Sequence, residues 1–176
     1  MTEVTRATIP ADLLKLFREI PYKKACEMAD RLTEVKPGLY LTGEDVTDDE
    51  FLFKERKIQH ILNAAPARVP SHFKGKGITY LEKDLVDEEN VDIYKEFKET
   101  CAWLRERREK KETVMVHCYA GISRSVTLVT AHLMEYDKLS LQAALALIID
   151  LRPIARPNNG FLRQLMRFEA ELDLVK

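Results

Sequence analysis

Cys118 and Arg124 stand six positions apart in the segment His117-Cys118-Tyr119-Ala120-Gly121-Ile122-Ser123-Arg124-Ser125, which has the clearest chemical content in the chain. The apolar run Thr113-Val114-Met115-Val116-His117 precedes it, and a stretch that reads as helical follows it. A turn from strand to helix aims backbone N–H groups into a concavity, and the helix N-terminus adds positive potential there. A thiolate at the mouth of such a turn is favoured by those donors and is a strong nucleophile. An arginine returning to the same opening can hold two oxygens of a tetrahedral dianion at once, which lysine cannot do. Gly121 allows the chain to double back without a Cβ in the way. Nucleophile, amide cradle and planar fork on one anion are the requirements of phosphoryl transfer, which needs mainly positioning and charge stabilisation.

That geometry requires a buried strand before the loop and a helix after it. The run 113–117 suits a strand covered on both faces at the centre of a parallel sheet. Further strands are expected at Gly38–Leu41, Ile58–Asn63 and Ile78–Leu81. A long helix carries Ile93, Phe97, Cys101 and Leu104 on one face and ends in the charged run 105–111, a solvated end. Helices follow over Ser125–Tyr136, after a capping Ser140, and from Pro157-Asn158-Asn159-Gly160 onward. Pro10 opens a short N-terminal helix, and a second is expected over Tyr22–Leu32. The pattern predicts α/β: one domain with a central, mostly parallel sheet flanked by helices, the phosphate-binding loop lying between a central strand and a helix. Residues 1–33 are expected as a helical extension packed on it, and 34–176 as the catalytic domain.

The 176 residues suit one domain with a single core. At 45% hydrophobic and 32% charged the chain reads as globular, and its net charge of −1 offers no global attraction for nucleic acid or a membrane. Three cysteines without a CxxC pair argue against secreted disulfides and a zinc site. The N-terminal stretch lacks an apolar signal core, and no segment reaches the length of a membrane span. The expectation is a cytoplasmic protein, also nuclear, and a monomer that binds neither nucleic acid nor membrane.

The loop motif resembles the HCxxGxSRS signature of the dual-specificity phosphatases in the protein tyrosine phosphatase superfamily. The resemblance extends through Gly38-Leu39-Tyr40-Leu41, His60-Ile61-Leu62-Asn63-Ala64-Ala65 and Pro157-Asn158-Asn159-Gly160-Phe161-Leu162-Arg163-Gln164-Leu165, about residues 35 to 170. Thr42-Gly43-Glu44-Asp45 departs from it, since the family often has glycine directly after the Leu-Tyr-Leu strand. The resemblance implies a phosphatase for phosphotyrosine and phosphoserine or phosphothreonine in proteins, working through a phosphocysteine without cofactor or metal. Cys118 would be the nucleophile. Tyr119, Ala120, Gly121, Ile122, Ser123 and Arg124 would bind the phosphoryl group, and Ser125 would hydrogen-bond the departing sulfur. His117 would support the loop from beneath, Asn158 would brace it, and Asn63 would help in the same way. The general acid is an aspartate among Asp84, Asp87 and Asp92; counting back from Asp92-Ile93, which resembles the start of the family's long helix, selects Asp87, with Asp84 as alternative.

Other polar residues have plainer readings. His60, His72 and His132 lack partners at metal-ligand spacing. Cys101 and Trp103 read as packing, and Cys26 as a buried thiol. Gly75-Lys76-Gly77 is too short for a nucleotide loop, and the segment after Cys118 lacks the second glycine of a serine-hydrolase elbow. Arg68, Arg152 and Arg156 are candidates for a second phosphate or acidic flanks, or else surface charge. The uncharged loop interior weighs against polyanionic lipid or RNA substrates, and the complete cysteine–arginine pair against a non-catalytic binding module.

Overall fold

The computed structural model describes residues 7–17, 23, 27 and 32–173. Five strands form one sheet in the order β1-β2-β5-β3-β4: β1 Leu32–Lys36, β2 Leu39–Thr42, β3 His60–Asn63, β4 Thr79–Glu82 and β5 Val114–His117. All neighbours pair parallel except β1, an antiparallel edge strand joined to β2 by a tight turn at Gly38, whose φ of +75° suits glycine. β5 is central, with Leu41 and Leu62 on either side of Val116 and all four of its residues buried. The uninterrupted apolar run read for this strand reflects its two covered faces.

Side-chain alternation divides the core in two. Leu39, Leu41, Leu62, Val114 and Val116 join the main cluster, whereas Tyr40, Ile61 and Met115 join a smaller one with Phe53 and Phe73. The smaller cluster lies under α2, Glu50–Glu55, and the chain between β3 and β4. The main cluster lies under α3 (Tyr94–Glu109), α4 (Arg124–Asp137), α5 (Leu141–Leu151) and α6 (Asn159–Glu171). Residues 124 to 134 of α4 are all buried, because this helix has packed neighbours all round. Its β-branched threonines are accommodated by back-bonding: Thr127 Oγ donates to Ser123 O (2.8 Å) and Thr130 Oγ to Val126 O (2.7 Å). Ser140 caps α5, its Oγ accepting Ala143 N at 3.2 Å.

The short N-terminal helix α1 spans Ala11–Lys15 behind Pro10 and buries Leu13 in the main core. The helix expected over Tyr22–Leu32 falls almost wholly outside the described residues, and Leu32 starts β1 instead. β1 therefore crosses the boundary expected at residue 34. Three described elements carried no sequence expectation: this edge strand, α2 and the single 3-10 turn Glu44–Val46.

Candidate active site

The loop 118–124 leaves the C-terminal end of β5 and enters α4. Four of its carbonyls are taken up by donors outside it. Tyr119 O accepts Glu44 N (2.8 Å), Gly121 O accepts Arg152 Nε (2.8 Å) and Ile122 O accepts Arg156 N (2.8 Å), while Cys118 O faces His117 Nδ1 at 3.3 Å. There are no cis peptides among the described residues, and in a trans peptide the C=O and the next N–H point in opposite directions. Anchoring these carbonyls outward therefore aims the N–H groups of Tyr119, Ala120, Ile122 and Ser123 inward. None of those four amides meets an acceptor among the described residues. This is an anion cradle at a helix N-terminus.

Gly121 has φ +65°, and a Cβ there would come within 2.6 Å of Arg152 Nη2, Gly43 N and the Thr42 carbonyl carbon. Position 43 is also tight: a Cβ would lie 3.0 Å from Tyr119 O and the Ala120 carbonyl carbon. The glycine that departs from the family pattern after the Leu-Tyr-Leu strand thus packs directly on the phosphate loop.

Cys118 is 1% exposed, and Ser125 Oγ donates to its Sγ at 3.2 Å. Arg124, 5% exposed, sends Nη1 to Leu85 O at 3.0 Å and holds Nε 3.6 Å from Asp87 Oδ2. Asp87 Oδ1 accepts Ser123 Oγ (2.7 Å) and Asn158 Nδ2 (2.9 Å). Asn158 also donates its N–H to Ser123 Oγ at 3.1 Å and caps α6 by accepting Phe161 N at 2.9 Å. Cys118, Arg124, Ser125, Ser123, Asp87 and Asn158 thus converge on one opening. Asp84 does not join them, being exposed with no side-chain bond among the described residues. Asp92 bonds Lys95 N at 3.4 Å, at the start of α3.

His117 sits beneath the loop at 1% exposure, and burial lowers its pKa to about 4, against the opposing bond to Cys118 O. At neutral pH it is an uncharged imidazole donating from Nδ1. Asn63 serves a different loop from the one expected. Its side chain donates to Val69 O (2.8 Å) and Ser71 Oγ (3.2 Å) and accepts Ala65 N (3.0 Å), so it shapes the turn after β3.

Arg152 needs correction as well. It is neither surface charge nor a second phosphate site: at 3% exposure it bridges Gly121 O to Thr33 Oγ1 (3.3 Å) on β1. Its bracing role went unread because a bond to a backbone carbonyl leaves no motif. The same holds for Leu85, which offers Arg124 only its C=O. Arg68 and Arg156 are exposed; Arg68 lies 4.9 Å over the Tyr119 ring at the mouth, and Arg156 5.6 Å from the Phe17 ring. Cys101 is buried, and burial raises its thiol pKa. Cys26 lies outside the described residues. Among the described residues no group of three His, Cys, Asp or Glu could hold a metal ion, and no helix is long and apolar enough to cross a membrane.

Comparison with known proteins meets the same loop. Residues 39–171 match the family model "Dual specificity phosphatase, catalytic domain". Human dual specificity protein phosphatase 26 is 38% identical over 154 residues, covering 85% of this chain and 71% of that protein. Dual specificity protein phosphatase Mpk3 of Drosophila melanogaster is 37% identical over 143 residues, 80% of this chain, but the match spans only 34% of the fly protein. Among solved structures, DUSP15 superposes with a TM-score of 0.71 at 35% identity, covering 81% of this chain and 94% of that one.

Proposed function

This chain belongs to the dual-specificity phosphatase family of cysteine-based protein phosphatases, and from that premise we propose which of its residues carry out which step. Cys118 Sγ attacks phosphorus, and the bond to the leaving oxygen breaks as Asp87 protonates that oxygen. The inward amides and the Arg124 fork hold the three equatorial oxygens and the charge that develops on them. Asp87, now a carboxylate, takes a proton from water as it attacks the phosphocysteine. Ser125 Oγ, 3.2 Å from Sγ, stabilises the thiolate that departs. Phosphate leaves and the resting state returns.

The observation that carries this reading is the outward anchoring of four loop carbonyls around a buried thiol, with Asp87 held beside Arg124 at the mouth. Asp87 is chosen over Asp84 because only it reaches the loop. The substrates proposed are phosphotyrosine and phosphoserine or phosphothreonine in proteins. Support comes from a loop interior whose only cation is Arg124, which suits a single phosphate group better than a polyanionic headgroup. We further place the protein in the cytoplasm and nucleus as a monomer, on the strength of the free, buried Cys101 and Cys118 and a near-neutral charge.

The test is turnover of phosphotyrosine and phosphothreonine peptides beside a soluble phosphoinositide. Peptide hydrolysis that survives EDTA and is blocked by vanadate supports the proposal. Loss on chelation contradicts the mechanism, and preference for the phosphoinositide contradicts the substrate class.

A further inference from the structure

At the opposite end of the sheet from Cys118, the N-terminal ends of β3, β4 and β5 open into a cavity of about 590 Å³. Thr113, which lines it, lies five residues before Cys118, roughly 16 Å away along the strand. The floor is apolar: Phe53, Ile58 and Phe73 are buried, with Ile78 partly so, and the two phenyl rings are tilted against each other at 4.5 Å. The rim is cationic, with Lys54, Lys57, Lys76 and Lys111 exposed around it. The one acidic residue in the lining is Glu50, 3.9 Å from Lys54 in a solvated pair. Lys57 and Lys111 have no carboxylate within ion-pair distance among the described residues.

Those two lysines occupy unusual backbone positions. Ile58 N returns to Phe53 O at the end of α2, and Glu112 N to Arg107 O at the end of α3. Each is the closing bond of a helix end whose left-handed residue is ordinarily glycine. Here the left-handed residues are Lys57 (φ +52°) and Lys111 (φ +57°). Glycine would adopt that conformation freely, yet both positions carry a cation, and both cations face the same cavity.

We propose that this cavity binds a small amphipathic anion, an apolar body bearing one carboxylate, with the apolar part over Phe53 and Phe73 and the anion among Lys57, Lys76 and Lys111. The volume lies within the range of small-molecule sites, and the site pairs an apolar floor with a cationic rim. A protein segment would lie along a longer groove than a recess of this volume offers. The site is separate from the phosphate loop, so its occupant is not the phosphatase substrate.

The test uses the full chain and dodecanoate below its micellar concentration, followed by calorimetry and backbone amide shifts. Saturable 1:1 binding is expected, with shifts centred on Ile58, Ile78 and Thr113. Dodecyltrimethylammonium, with the same tail and opposite charge, should not bind there. Lys57→Gly/Lys111→Gly removes both cations at backbone positions that suit glycine, and should weaken dodecanoate roughly tenfold while aryl phosphate turnover stays at wild type. Ile78→Trp, which fills the recess, should abolish binding and serves as an independent variant. Equal affinity for the two amphiphiles, unchanged affinity in the glycine variant, or shifts centred elsewhere would overturn the proposal. Tighter binding of an acidic peptide than of dodecanoate at the same residues would also overturn it, in favour of a protein partner.

Discussion

Two loops meet at the active site, and they are held to different degrees. The phosphate loop is almost wholly tied by its backbone, with carbonyls anchored by Glu44, Arg152, Arg156 and His117 and glycines 43 and 121 packed on one another. The acid loop after β4 exposes Val86, Asp87, Glu88 and Glu89, and hangs on side chains of its neighbours. Arg124 grips Leu85 O, Ser123 and Asn158 grip Asp87, Arg163 pairs with Glu89 at 3.1 Å, and Gln164 Nε2 donates to Val91 O at 2.8 Å. A cradle for a developing charge gains from being fixed before substrate arrives. A proton donor must meet leaving groups of different size, and side-chain tethers allow that adjustment. Transition-state charge thus falls to one loop and proton transfer to the other.

The largest effects should come from the fixed loop and be blind to the substrate. Cys118→Ser removes the nucleophile and should abolish turnover of every substrate. Arg124→Lys should lower kcat/KM by roughly 10²–10³-fold on an aryl phosphate and a phosphoserine peptide alike. A loss confined to one substrate would break the division between the loops.

Next in size, Asp87→Asn should slow the phosphoserine peptide by about 10²–10⁴-fold and the activated aryl phosphate far less, since a good leaving group departs without a proton. Asp84→Asn should be mild on both. Reversal of the two variants would move the general acid three residues back along the chain.

The fixed loop should also carry a pH signature through His117. Burial moves this imidazole from 6.5 to about 4 when folded. Between those values the unfolded chain holds the extra proton, so stability is full above pH 6.5, falls as pH drops toward 4, and levels off below. The loss should be on the order of 3 kcal/mol at most. Denaturant melts of wild type and His117→Gln check it: the variant should show a shallower decline over that window, and an equal slope would contradict the assignment.

The smallest effect concerns the contact between α6 and the acid loop. Gly160 packs against the Glu89 backbone so closely that any Cβ would overlap it. Gly160→Ala should cost about 1–3 kcal/mol and push the acid loop away. Phosphoserine turnover should then fall more than aryl phosphate turnover. An equal fall on both would mean that the helix supports the cradle instead.

Much of this contrast was legible in the residues. The strand at 113–117, the helix beyond it and the converging Cys118 and Arg124 follow from an apolar run and a motif whose spacing has a physical cause. Asp87 was reachable by counting back from the start of the long helix. What escaped was structure made by backbone contact. β1 is a short alternating strand at a sheet edge, and α2 is a six-residue helix that buries only Phe53, so neither has a strong period. Arg152 acts on a carbonyl and Leu85 through one, and neither bond leaves a trace in side-chain type. Asn63, which the resemblance implied would help brace the phosphate loop, instead satisfies the backbone of its own turn.

The central claim is that phosphate passes through Cys118, and rapid-quench mass spectrometry tests it most directly. Ser125→Ala, which withdraws the hydroxyl that stabilises the departing thiolate, should let the intermediate accumulate during aryl phosphate turnover. The account predicts one phosphoryl group on the peptide containing Cys118, gone after full turnover and absent in Cys118→Ser. A phosphoryl group on another residue, or continued turnover by the Cys118→Ser protein, would contradict it.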